Sequence, residues 1–204
     1  MLSLATKFYT VADYDQELSH AHKKFENIVW EGKTIAGREF FDCQFYKCSL
    51  KESVFVDCTF DKCTFEHCDL SLIQFKQTGF SRIVLLNSKA IGVAWHTTRN
   101  PFSMEFHHSR ISFSSFSGKN LRKGIFIHCQ ADEVDFSSCN LSMATFTGTD
   151  LAGARFSETD LTQADFVDAR RYAINVQGNK VRKAKFSLPD ALVLLAGLGV
   201  EIVE

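Results

Sequence analysis

No apolar run in the 204 residues approaches the roughly 18 that a membrane-spanning helix needs. The opening "MLSLATKFYTVADYDQELSH" lacks the basic start and continuous apolar stretch of a signal peptide. A formal net charge of −1 gives no global attraction to nucleic acid or to an anionic membrane. No C-x₂-C spacing occurs among the seven cysteines, which removes the commonest zinc signature. The expectation is a cytoplasmic protein with reduced thiols, without membrane attachment or direct nucleic-acid binding. Against two prolines and 11 glycines, the chain holds 20 phenylalanines.

Their spacing is the dominant signal. Stepping by five from Phe25 gives Phe25, Trp30, Ile35, Phe40, Phe45, Leu50, Phe55, Phe60, Phe65, Leu70, Phe75, Phe80, Leu85, Ala90 and Trp95. The phase slips by one residue and resumes as Phe106, Ile111, Phe116, Leu121, Phe126, Ala131, Phe136, Leu141, Phe146, Leu151, Phe156, Leu161 and Phe166. None of these sites is polar. At 45% apolar composition, chance would produce this with a probability of about 10⁻¹⁰. The position two before each site is mostly small, and all seven cysteines fall in that column: Cys43, Cys48, Cys58, Cys63, Cys68, Cys129 and Cys139.

A helix repeats every 3.6 residues and a strand every two, so a period of five belongs to a larger unit. If each five-residue unit forms one side of a square, four units close a coil of 20 residues. The central Phe or Leu and the small residue before it then point inward. Coils stack at the strand spacing of about 4.8 Å, so residues 23–186 predict about eight coils and a rod of roughly 40 Å. Residues 1–22 are read as an N-terminal cap segment and 187–204 as a C-terminal module. Units such as "ATFTG", "TDLAG", "ARFSE", "TDLTQ" and "ADFVD" resemble the A(D/N)LXX motif of the pentapeptide-repeat family. That resemblance implies an all-β fold, a right-handed quadrilateral β-helix with a C-terminal helix and short strand.

Chemical candidates are few. Cys43 over Cys63, and Cys48 over Cys68, would lie close enough for a disulfide or a zinc pair, but every thiol obeys the packing column. His67, His107, His108 and His128 have no inward cleft and no partnered nucleophile at a readable spacing. The expectation is a non-enzymatic protein with no catalytic residue, cofactor or metal site. The phase slip spans "TTRNP", residues 97–101, and reads as a bulge or loop near 96–105 leaving the rod. A loop on a rigid scaffold is a candidate contact, here Thr97, Thr98 and Arg99. Residues 130–169 carry Asp132, Glu133, Asp135, Asp150, Glu158, Asp160, Asp165 and Asp168 against Arg155 alone. They read either as an acidic face for a basic partner or as solvated turn formers, above all Asp150 and Asp160 in their TDL units. A basic collar follows at Arg170, Arg171, Lys180, Arg182, Lys183 and Lys185.

The ending "SLPDALVLLAGLGVEIVE" predicts a helix over Ala191–Ala196, started by Pro189 and Asp190 and stopped by Gly197 and Gly199, then a strand. A helix apolar all round is most simply buried against a copy of itself, which makes Leu192, Leu194, Leu195, Val200 and Ile202 the expected homodimer interface. Thr97–Arg99 is similar to the Thr-Thr-Arg of a projecting loop in the Qnr branch of the family. The ending resembles the dimer module of the Qnr, MfpA-type and McbG-type members. The first fifteen sites run uninterrupted, so the earlier loop common in plasmid-borne Qnr proteins has no counterpart. The resemblance implies a DNA-mimicking rod with DNA gyrase or topoisomerase IV as partner. The alternative is a β-helical scaffold for an unrelated protein.

Overall fold

The computed structural model describes residues 17–196 together with 198 and 200. Within them the chain winds as a parallel β-helix of about 8 coils, followed by one short helix. Pairing register sets the coil at 20 residues: Phe25 lies against Phe45 and Phe45 against Phe65. The same offset pairs Phe40 with Phe60, Phe60 with Phe80, and Phe55 with Phe75. The four walls can be named by their inward residues: wall I by Phe40 and Phe60, wall II by Phe25 and Phe45, wall III by Trp30 and Leu50, wall IV by Ile35 and Phe55.

The strands are three-residue pieces such as Lys24–Glu26, Gln44–Tyr46 and Thr64–Glu66, each with a buried centre and outward flanks. Wall III is joined through single bridges, Val29 to Ser49, Ser49 to Asp69 and onward to Arg170. The central rings stack along the axis. Phe25–Phe45 and Phe45–Phe65 lie 4.6 Å apart within 10° of parallel, and Phe126–Phe146–Phe166 continue the column at 4.9 and 4.8 Å. Rings of neighbouring walls meet edge to face, as Phe126 meets Phe136 at 5.4 Å and 81°. Both geometries suit the aromatic quadrupole.

Each corner is made by the residue two after the centre, held in the left-handed region. Asn27, Lys47, His67, Asn87, His108 and His128 form one such corner with φ between 48° and 55°. That conformation costs a residue bearing a Cβ roughly 1–2 kcal/mol. It is offset by the corner amide donating to the next coil, as Lys47 N does to Glu66 O at 2.9 Å. Because amides along the walls are used this way, proline has no place in them. Pro101 sits in the slip and Pro189 beyond the last strand pair.

The cysteine column has a polar function besides filling space. Cys48 Sγ donates to Phe25 O and Tyr46 O, both at 3.4 Å, and Cys68 Sγ repeats this with Phe45 O and Glu66 O at 3.3 Å. Thr78, Ser88, Thr149 and Thr159 make the equivalent bonds with hydroxyls. A small side chain carrying one donor therefore satisfies inner carbonyls that the backbone ladder leaves over. All seven cysteines are free and buried. Burial pushes the thiols of Cys129 and Cys139 up to about 12 and about 11.

The slip lies between Arg99 and Met104. Gly79 still pairs with Arg99 at an offset of 20, whereas Ile83 pairs with Met104 at 21. The wall takes up the extra residue between these two pairings. Phe102 turns inward here, 5.9 Å from Trp95, and occupies the core site that stepping by five from Trp95 misses. At the start, Ser19–Ala21 already pairs with Glu39–Phe41, and buried His20 stacks on Phe40 at 5.0 Å, so the wall begins one unit before Phe25. At the far end, Asp190–Leu192 forms a 3₁₀ turn that runs into the helix Val193–Ala196, shorter than the helix expected from the sequence.

Candidate interaction surface

Filling the axis with rings leaves the outer walls, the slip and the ends as the chain's accessible chemistry. The slip is tightly held. Thr97 is exposed and its hydroxyl donates to Ala94 O at 2.8 Å. Thr98 is buried and donates to Trp95 O at 2.7 Å. Arg99 lies flat across Gly79, where a side chain would come within 3.6 Å of its Nε. Its Nη2 donates to Cys58 O at 3.2 Å and Thr59 Oγ1 at 2.9 Å. Of the three, Thr97 is left to face solvent without a structural tie beyond its own turn.

Beneath the slip is a feature the sequence reading passed over. Lys119 occupies the column of small inward residues and is 4% exposed. Its ammonium donates to Thr98 O at 2.6 Å and Asn100 Oδ1 at 3.2 Å, and stands 5.4 Å from the Phe102 ring centre. Desolvation holds its pKa below the ordinary value. The one signal in the sequence was a long cationic residue in a column otherwise short.

The eight carboxylates do not form one free acidic face. Asp150, read from the sequence as outward, is only 6% exposed. Its carboxylate takes a hydrogen bond from Arg170 at 3.2 Å and another from Arg171 Nε at 2.7 Å. Burial alone would raise the Asp150 pKa; the Arg171 hydrogen bond and charge, with Arg170, carry it below the usual carboxylate value. Asp132 meets Arg171 at 3.3 Å, Asp135 meets Arg155 at 3.6 Å, and Asp165 meets Lys185 at 3.4 Å. Asp135, Asp160 and Asp165 also accept from the amide two residues on, at 3.0, 2.9 and 3.0 Å. These are local turn bonds, expected for Asp160 in its TDL unit and shared by Asp135 and Asp165. Among the described residues no ion pair reaches Glu133, Glu158 or Asp168, all exposed.

The C-terminal end is apolar and open. Leu188, Leu192, Val193, Leu195, Leu198 and Val200 are all exposed. Leu194 instead packs on the core, so it belongs to the cap of the rod as well as to the expected interface. Ile202 lies outside the described residues. No group of three or more metal-ligating side chains gathers among the described residues, and no helix among them is long and apolar enough to cross a membrane.

Fold and surface define a class: a parallel β-solenoid with a ring-filled axis and exposed outer walls. Family models match two stretches of the chain, residues 40–84, described as pentapeptide repeats (9 copies), and residues 139–170, described as pentapeptide repeats (8 copies). No curated protein matches the chain. Among solved structures it is similar to full-length QnrB1, a plasmid-mediated fluoroquinolone resistance protein, at 23% identity over 89% of this chain and 90% of that one, with a TM-score of 0.48. It is also similar to HetL, a pentapeptide repeat protein involved in heterocyst differentiation regulation from the cyanobacterium Nostoc sp. strain PCC 7120. There the identity is 14% over 82% of this chain and 84% of that one, with a TM-score of 0.50, a likeness of fold.

Proposed function

We propose that this protein is a non-enzymatic, dimeric β-helix that binds a type II topoisomerase, DNA gyrase or topoisomerase IV. It would occupy the DNA-binding saddle and modulate the enzyme or protect it from quinolone-like or peptide poisons. One observation carries the reading: a rigid rod ends in an exposed apolar surface of Leu188, Leu192, Val193, Leu195, Leu198 and Val200. That is the surface a tail-to-tail dimer would bury, and the ending resembles the dimer module of topoisomerase-binding members of the family. Two rods end to end would reach about 80 Å. Glu133, Glu158 and Asp168 leave negative charge near the middle of that assembly, where a basic saddle would be attracted in a salt-sensitive way. The purified protein should change gyrase supercoiling or drug-induced cleavage at micromolar levels or lower. No effect, with or without a quinolone or a peptide toxin, removes the reading.

A second reading, a scaffold for a different protein, draws on the ion pairs. Four of the eight carboxylates, Asp132, Asp135, Asp150 and Asp165, are engaged by Arg171, Arg155, Arg170 or Lys185. Such pairing dilutes a DNA-like charge pattern. Cross-linking in cells that yields partners without topoisomerase subunits would favour this alternative.

A further inference from the structure

The corner between walls III and IV carries Gly32, Glu52, Leu72, Gly92, Phe113, Glu133 and Gly153, one per coil. The backbone there is left-handed, with φ of 59° at Leu72 and 60° at Phe113. Such a corner favours Gly, Asn or Asp, and a bulky apolar residue on it costs conformational energy. Leu72 and Phe113 are nevertheless 47% and 61% exposed. Neither adds to the core, so the fold gives no reason for them.

Leu72, Gly92 and Phe113 take the same corner of three successive coils. Leu72 folds over Gly92, where an added Cβ would come within 2.8 Å of Leu72 Cδ2. Half-buried Ile91 lies beside this contact and Phe113 follows one coil further. The stripe runs into carboxylates in the next coil. Asp132 is held by Arg171 and by the Ser112 hydroxyl at 2.9 Å, and Asp135 by Arg155. Glu133 has no cationic partner among the described residues and lies over Gly153. At the other end, Glu52 pairs with Lys51 at 3.2 Å. Lys89 and Arg110 stand on the adjacent wall III, three residues before Gly92 and Phe113.

We infer that the Leu72–Gly92–Phe113 corner is a docking surface for a protein partner that seats an apolar side chain against Phe113 and a Lys or Arg against Glu133. The unpaired Glu133, about 4.8 Å along the axis from Phe113, sets the charge of that partner. Aromatic side chains, Phe among them, are enriched at protein interfaces. The site stands on geometry alone; only the identity of the partner as a topoisomerase rests on the function proposed above.

The test uses the full chain and the variants Phe113→Asn, Leu72→Asn and Glu133→Lys. Asn suits the left-handed corner, so the first two should fold at least as stably as the parent, checked by circular dichroism and thermal melting. A loss of stability in Phe113→Asn would mean that the ring serves the fold and would overturn the inference. A phage-displayed library of random 12-residue peptides is panned on the immobilised parent. Enriched peptides should carry an aromatic or aliphatic residue next to Lys or Arg, bind Phe113→Asn at least tenfold more weakly, and bind Glu133→Lys more weakly at low salt. Enrichment that is indifferent to both substitutions, or no enrichment, overturns it. A change of oligomeric state in Phe113→Asn by sedimentation would make the occupant a second copy and also overturn it. In the gyrase assay, a parent that acts while Phe113→Asn acts equally well defeats a topoisomerase as the occupant of this corner, leaves the topoisomerase reading standing, and hands the site to the peptide arm. An inactive parent defeats only the topoisomerase reading, and the peptide arm then decides the site.

Discussion

Removing one ring from the middle of the stack tests the architecture most directly. Phe136 is fully buried, stacked on Phe116 at 5.4 Å and Phe156 at 5.2 Å, and edge-on to Phe126 and Phe146 at 5.4 and 5.6 Å. Phe136→Ala loses the transfer energy of the ring and leaves a gap that walls tied to both neighbouring coils cannot close, a cost of about 3–5 kcal/mol. Phe136→Leu should cost about 1.5 kcal/mol or less, since Leu141 and Leu161 fill the same central position on wall I. Phe186 is half-buried, and among the described residues its ring contacts are Phe166 at 5.0 Å and Tyr172 at 5.5 Å, so Phe186→Ala should cost about 1–2 kcal/mol. Equilibrium urea unfolding followed by circular dichroism reads the order. With a slope of about 2 kcal/mol per molar urea, Phe136→Ala should lower the midpoint by about 2 M. Stability in a solenoid is carried through nearest neighbours, so the contrast between middle and end is the informative quantity. If Phe136→Ala costs no more than Phe186→Ala, the continuous ring stack does not hold the rod together.

Asp150→Asn should lower stability at neutral pH by about 1–2 kcal/mol, because charged hydrogen bonds from Arg170 and Arg171 are weakened. The Asp150 pKa is lowered on folding, so its contribution is present above the ordinary value of 3.8 and is lost as pH falls through the folded value. The variant should therefore show a shallower acid dependence below about pH 4; an unchanged slope in acid-unfolding curves would refute the assignment. Leu195→Arg should leave the circular dichroism intact and give a monomer by sedimentation, whereas Leu194→Arg, against the core, should also lower the melting temperature. Equal behaviour of the two would contradict the orientation of the short helix. The native protein should show almost no thiol reaction with a disulfide reagent at pH 8, and all seven cysteines should react in urea. Rapid native labelling would contradict their burial.

Much of this surface could have been read with one more step. Asp150 and Arg170, Asp135 and Arg155, and Asp165 and Lys185 are each one coil apart in the same column. Counting charge by stretch of chain separates an acidic segment from a basic collar, but the 20-residue register lays the second over the first. Phe102 was hidden for a different reason. Rigid stepping by five fails wherever a wall takes in an extra residue, and the core recovers by recruiting whichever ring lies near. Lys119 is a long cationic residue in a column of small ones. Its role depends on Thr98 O and Asn100 being lifted over it by the slip, which no local pattern encodes.

The sequence by itself determined the coil. A period of five with apolar centres, small residues two before them and polar residues between is a one-dimensional signal, and repetition makes each coil predict the next. It set the 20-residue turn, the inward column of rings and the placing of every thiol in the core. The tertiary structure decided what repetition cannot: which carboxylates are neutralised, where the extra residue is absorbed, which face of the last helix meets the rod, and that Leu72 and Phe113 lie together on one corner. Those outcomes depend on side chains from different coils meeting in space. Their energies come from pairing and packing between neighbours, and a periodic pattern fixes the neighbours without fixing the contacts they make.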